Sequence, residues 1–267
     1  MLRALNAEIA GLWRARGLLA IMARRELAAR HAGSVLGVFW LYAQPLLTVA
    51  AYYLVFDVVF KLRLGESAPT RAMGAYLIVG MVPWLAFTES TGRGMMSLLE
   101  AGGLLQKNPL PPALFPARSL LTSAITYLPL MLLLVAAYTP MHRGSAALLL
   151  LPLLLLMMLV IWFLLAYALA ILAAALRDVV QVVGFILSIG AFLSPVLFPP
   201  AMFPQGLAWV LWLNPMTPSV LGMQSLLLAG AAPGADVWLA LAVWIILLAV
   251  VLDRLVLRSR EQLVDWL

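Results

Sequence analysis

Few residues of this sequence could do chemistry. Five acids lie beside its apolar runs, Asp57, Glu89, Glu100, Asp178 and Asp253, and there are two histidines, His31 and His142. A facing pair of carboxylates would give aspartyl-type acid–base catalysis. Clustered histidines would give a zinc site, and a midspan acid would suit a proton-coupled carrier. None of these patterns forms. The acids all sit at the ends of apolar runs, and the histidines fall on opposite sides of the bilayer in the topology that the charges favour. No Gly-Lys dipeptide exists to start a phosphate-binding loop. With no cysteine there is also no thiolate nucleophile, disulfide or cysteine-ligated metal. The chain reads as a former of a path without an engine: no enzyme, no metal and no cofactor of its own.

The elements around those residues are membrane helices. Hydrophobic residues make up 65% of the chain, charged residues only 10%, and mean hydropathy is +1.05. A soluble domain carries roughly a quarter of its residues charged, so a single soluble core does not fit. Several runs reach the ~20 apolar residues that a spanning helix needs. Backbone groups in hydrocarbon must bond internally, so these runs are helices, and the short alternating segments of a membrane barrel are absent. The pI of about 10.1 invites a nucleic-acid reading. The basic residues sit beside spans instead, where they orient the chain and meet lipid headgroups. The first apolar stretch, broken by Arg14 and Arg16, lacks the clean centre of a cleavable signal.

Residues 1–33 read as an amphipathic interfacial segment, with Leu2, Leu5, Ile9, Leu12 and Trp13 on one face and a break at Gly17. Residues 34–257 read as an all-α transmembrane domain of six helices. Its spans are expected at 34–60, from 72 to about 87 with a polar continuation, and at 120–138, 146–176, 179–197 and 237–257. Between them lie a cytoplasmic loop rich in Pro and Gly at 97–118 and a proline-broken extracytoplasmic segment at 198–234. The latter is too apolar for a free loop and reads as short re-entrant helices. Residues 258–267 form a cytoplasmic tail. With both termini inside, thirteen of the seventeen Lys and Arg fall on the cytoplasmic side, and only Lys61, Arg63, Arg71 and Arg143 fall outside. That asymmetry favours an N-in, C-in protein, multi-pass in the plasma (inner) membrane.

The stretch Arg30-His31-Ala32-Gly33-Ser34-Val35-Leu36-Gly37-Val38-Phe39-Trp40 resembles the opening of polysaccharide-export ABC permeases. Gln44-Pro45, Phe56 to Phe60, Gly80-x-x-Pro83-Trp84, the run from Ser97 to Lys107, and Arg177-Asp178 continue the resemblance in order. So do Ser194-Pro195-Val196-Leu197-Phe198-Pro199 and Asn214-Pro215-Met216-Thr217-Pro218, and nearly the whole chain is covered. Two departures stand out. Pro111-Pro112-Ala113 occupies the place of a Phe-Pro-Arg element, and Gln224 stands where the family often has Arg.

The resemblance implies a homodimeric membrane half of an exporter for lipid-linked O-antigen, capsule or teichoic-acid chains. Two copies of a separate ATPase subunit would bind the ATP and Mg. The loop residues Gln106, Lys107, Asn108 and Pro109 become candidates for coupling to that ATPase, with Arg177 and Asp178 as a second contact; ordinary connecting turns would look the same. The resemblance also points to the first and fifth spans as the lining of a sugar conduit. Tyr42, Gln44, Thr48, Tyr52, Trp84, Phe185, Ser188 and Phe192 are candidates there, because aromatic faces stack on sugar C–H faces without fixing the chain. Helix packing or lipid contact would explain each aromatic residue equally well. Arg24, Arg25 and Arg30 could hold a lipid-linked pyrophosphate bidentately, or simply anchor the topology. Two other readings are a drug- or lipid-exporting permease of the same architecture, and a membrane-embedded enzyme acting on lipid-linked substrate.

Overall fold

The computed structural model describes residues 3–30, 32–65, 68–108, 110–142, 145–260 and 262–267. Among them every regular element is helical, joined by turns and loops, and the one β-type pairing is an isolated bridge between Arg63 and Ala72.

Helices α1 (Arg3–Arg14) and α2 (Arg16–Arg30) meet at Ala15, so Gly17 lies within α2 and does not break the helix. The Ala15 N–H still reaches the Gly11 carbonyl at 3.0 Å, and the Leu19 N–H reaches the Ala15 carbonyl at 2.9 Å. The joint is a bend in one hydrogen-bonded path. The expected apolar stripe of α1 divides. Leu5 is buried and Leu12 packs on the core, while Ile9 and Trp13 stay exposed. Leu2 lies outside the described residues.

Gly33 and Gly37 adopt left-handed backbone (φ 80° and 49°), which glycine enters without steric cost. The chain turns there, so α3 starts at Phe39, later than the expected residue 34. It runs Phe39–Tyr53 and widens into a π-helical turn, Leu54–Val59. In that turn the Asp57 carboxylate accepts the Gly74 N–H (3.1 Å) and pairs with Arg63 (2.9 Å), tying α3 to the start of α4.

Helix α4 (Met73–Glu100) is the centre of the molecule, packed on α3 and on α6 (Leu114–Tyr138), α7 (Leu151–Ala175), α8 (Asp178–Ile189) and α10 (Thr217–Gln224). Tyr76, Val79, Ala86 and Leu98 along it are completely buried. The short α5 (Gly102–Leu105) follows α4, and α9 (Trp209–Trp212) precedes α10. The chain then passes into α11 (Ala235–Ser259) and α12 (Leu263–Trp266).

Among the described residues, four helical stretches are long and apolar enough to cross a bilayer: Phe39–Val59, Leu114–Tyr138, Ala146–Ala175 and Ala235–Ser259. Two expected spans depart from that form for different reasons. Helix α4 reaches about 42 Å at 1.5 Å per residue, but Glu89, Arg93 and Glu100 lower its hydropathy; neighbouring helices supply its apolar surroundings. Helix α8 ends at Ile189, not 197, and at about 18 Å is shorter than the ~30 Å hydrocarbon layer. Turns carry the chain from Gly190 to Leu197. What holds those turns is the Pro195 carbonyl, which accepts from the Tyr76 hydroxyl (2.8 Å) and the Gln224 amide (2.9 Å). Gly80 permits the approach, since a Cβ there would lie 3.2 Å from the Val196 Cα. Of the proline-broken segment, α10 is buried inside the bundle.

Candidate functional site

The charged stretches of α2, α4 and α6 meet at one pole of the molecule, and α1 joins them through its contacts with α2 and with the start of α6. Six charges there alternate in one chain of ion pairs. Arg93 on α4 contacts Glu89 (3.4 Å), and Glu89 contacts Arg30 on α2 (2.6 Å). Arg30 contacts Glu26 (2.8 Å), Glu26 contacts Arg118 on α6 (2.6 Å), and Arg118 reaches Glu100 at the end of α4 (3.8 Å). The charges sum to zero, so the partly buried groups compensate one another. The Arg30 side chain is only 9% exposed, and the Arg118 guanidinium also covers the Phe115 ring at 5.8 Å.

A cavity of about 570 Å³ opens beside the Arg93–Glu89–Arg30 end, between α3, α4 and α6. Gln44 and Thr48 of α3 line it with Trp40, Thr88, Thr126 and Tyr127. The structure thus brings two of the expected conduit residues together with one of the three expected phosphate-binding arginines. The other two, Arg24 and Arg25, stay exposed on α2. Arg25 lines a second hollow on the far side of the ion-pair chain, with Glu100, Leu104 and Arg118.

The remaining conduit candidates separate. Tyr42 and Tyr52 are half-buried against the core, Tyr52 stacked on Phe56 at 6.2 Å. Trp84 is buried beside Phe87 and forms a wall of an apolar hollow of about 420 Å³ between α4, α7 and α8. Phe185, Ser188 and Phe192 are exposed, and the Ser188 hydroxyl donates to the Phe185 carbonyl at 2.7 Å. No residue of α8 is fully buried: Val183 and Leu187 turn toward α4 and α7, and the opposite face is exposed.

At the same pole the expected coupling loop is α5 and the turn after it. Gln106, Lys107 and Asn108 are exposed, with the Asn108 amide donating to the Leu104 carbonyl at 3.2 Å; Pro109 lies outside the described residues. Arg177 and Asp178 are exposed at the start of α8, where an acid faces the positive end of the helix dipole. Helix α1 is fastened to this pole by two acids. Glu8 accepts from the Tyr167 hydroxyl (3.1 Å) and the Ala113 N–H (3.4 Å), and Asp253 on α11 accepts the Leu5 N–H (3.0 Å).

Sequence reasoning passed over Glu26, Glu89, Arg93 and Arg118 as site residues, taking Glu89 as a helix end and the arginines as topology markers. The i,i+4 spacings Glu26–Arg30 and Glu89–Arg93 were the available signal. Among the described residues no group of three or more His, Cys, Asp or Glu converges as metal ligands would. His31 and Arg143 lie outside the described residues.

The ABC-2 type transporter family matches the sequence over residues 17–228. The chain is similar to the O-antigen export system permease protein RfbA of Myxococcus xanthus, 30% identical over 236 residues that cover 86% of this chain and 88% of that protein. It is also similar to a Klebsiella pneumoniae protein of the same name, 23% identical over 216 residues covering 80% of this chain and 81% of the relative.

Proposed function

The chain belongs to the ABC-2 type transporter family, and we propose that it is the permease subunit of an ATP-driven exporter of lipid-linked polysaccharide, of O-antigen, capsule or teichoic-acid type. It is a multi-pass plasma-membrane protein. A separate ATPase, in two copies, binds ATP and Mg and docks on the basic pole, and a second copy of this chain completes the path. The observation that carries this reading is the polar cavity on α3. In an otherwise apolar helix, Gln44 is exposed and makes no side-chain hydrogen bond within the described residues. Facing lipid, an unpaired amide costs several kcal/mol; facing a hydrated conduit it costs little. The names of the O-antigen relatives support the substrate class.

Six spans with both termini inside are supported by the basic pole, with α4 as the second span and α8 with its following turns as the fifth. The exposed faces of α3 and α8, the latter carrying Phe185 and Ser188, form the conduit with Phe192 of the following turn by meeting a second copy across a two-fold axis. Gln106, Lys107, Asn108 and Pro109 contact the ATPase, with Arg177 and Asp178 beside them. Arg24 and Arg25, exposed on α2, attract the pyrophosphate, while Arg30 is held in ion pairs with Glu26 and Glu89.

The test is a cell lacking this chain. Lipid-linked polysaccharide should accumulate on the cytoplasmic leaflet and disappear from the surface. Normal surface polymer in that cell would overturn the assignment.

A further inference from the structure

The cavity between α3, α4 and α6 has a lining that is specific about what it can hold. The Thr48 hydroxyl donates to the Gln44 carbonyl (3.0 Å), the Thr88 hydroxyl to the Leu85 carbonyl (2.9 Å), and the Thr126 hydroxyl to the Thr122 carbonyl (3.1 Å). Each hydroxyl proton is therefore spent on its own helix; the half-buried Thr48 and Thr88 offer the cavity lone pairs only, while Thr126 is 1% exposed. Glu89 adds a carboxylate, already engaged by Arg30 and Arg93. Gln44 offers both an amide carbonyl and an amide N–H₂. Trp40, 46% exposed, gives a broad apolar ring at the mouth, and Tyr127 closes the inner wall.

We infer that this cavity is a subsite, within one protomer, for a single sugar ring of the exported chain. The inference rests on the polysaccharide reading and names where and how that protomer grips its substrate. A phosphate, which is rich in acceptors, would meet acceptor hydroxyls and the Glu89 carboxylate, because the two arginines of the lining, Arg30 and Arg93, are already paired with that carboxylate. An acyl or prenyl chain would have to cover Gln44 and the Glu89 ion pairs without replacing their hydration. A sugar ring brings hydroxyl donors for the threonine oxygens, acceptors for the Gln44 amide and an apolar C–H face for Trp40. The volume, about 570 Å³, lies within the range of small-molecule sites. The position also fits the order of a lipid-linked substrate. Arg24 and Arg25 lie on α2 outside the cavity, and the ring enters beyond them.

The experiment uses the permease in complex with its ATPase and two probes: a prenyl diphosphate carrying one hexose, and the same prenyl diphosphate without sugar. Binding of each is measured by equilibrium dialysis to wild type and to the double variant Gln44→Leu, Thr48→Val. The wild type should prefer the glycosylated probe by about tenfold, the effect of one good polar contact set. The double variant should lose that preference and still bind the bare prenyl diphosphate as wild type does, which also certifies its folding. A preference that survives in the variant overturns the subsite. Equal binding of both probes to wild type overturns it as well, while leaving the permease assignment standing. Binding of neither probe overturns the subsite and the polysaccharide reading together.

Discussion

The Leu5 N–H donates to the buried carboxylate of Asp253, 3.0 Å away and 248 residues later in the chain. A helix start has N–H groups without intrahelical partners, and here an acid from α11 supplies one from outside, with the favourable sign for the helix dipole. Helix α1 is thereby fixed to α11. On the next turn the arrangement is reversed: Glu8 of α1 accepts from the Tyr167 hydroxyl and from the Ala113 N–H at the start of α6.

Asp253→Ala should release the start of α1 and leave its N–H unpaired, at a cost of about 1–3 kcal/mol. Asp253→Asn keeps an acceptor oxygen and should lose less. Limited trypsin cleavage at Arg14 and Arg16 reports the release. Equal cleavage rates in wild type and Asp253→Ala would show that packing of Leu5 alone holds α1.

The six-charge chain makes a second expectation. Breaking one partner of a buried pair costs about 3–5 kcal/mol, whereas replacing both by neutral groups is often nearly neutral. Glu89→Gln and Arg30→Met alone should each reduce the yield of folded transporter several-fold, and the double variant should recover most of it. Purification yield and melting temperature in detergent measure this. If the double variant is as poor as the sum of the singles, the pair is not what holds α2 to α4.

The third expectation concerns the loop that we assign to coupling. A Cβ on Gly102 would lie 2.9 Å from the Leu267 carbonyl oxygen, so Leu267, next to α12, braces the joint between α4 and α5. Gly102→Ala should push this brace away and weaken stimulation of the ATPase by substrate. Deleting residues 264–267 from the Gly102→Ala variant should remove the clash and restore part of the response. Lys107→Glu with Pro111→Gly should uncouple hydrolysis from export while insertion stays normal, because glycine lacks the φ restraint of proline. Unchanged export in that variant at matched expression would make the loop a plain connector.

Much of the helical order was legible because hydrophobicity switches cleanly along the chain. The apolar run up to Phe87 followed by Thr88 to Arg93 announced a helix that outlasts its apolar part, and α4 runs unbroken to Glu100. Gln44 and Thr48 were legible as polar groups in an apolar helix. Arg30 was legible as a cation but its pairing with Glu89 was not, since it reaches α4 across 59 residues of sequence. The end of α8 was hidden for a related reason. Residues 179–189 and 190–197 are similarly apolar, and what stops the helix is the capture of the Pro195 carbonyl by Tyr76 and Gln224 from elsewhere in the chain. Local patterns carry a helix and its polar face; ion-pair partners and backbone captures are tertiary and leave no periodic trace.

The last expectation tests the conduit between two copies. Helix α8 has no buried residue, and α3 buries only Ala43, Pro45 and Val49. Exposure alone does not separate a conduit wall from a lipid-facing helix, because Ile246 on α11 is 64% exposed too. Polarity does separate them. Thr48 and Ser188 lie on α3 and α8, whereas α11 shows Leu239, Val243, Ile246 and Leu247 outward. Thr48→Trp and Ser188→Trp should still assemble with the ATPase and with a second copy, yet reduce polymer export at least tenfold. Ile246→Trp should export normally, since lipid accommodates the larger ring. Export measured as surface polymer per assembled transporter decides the matter. Tolerance of Trp at Thr48 and Ser188 equal to that at Ile246 would remove α3 and α8 from the wall.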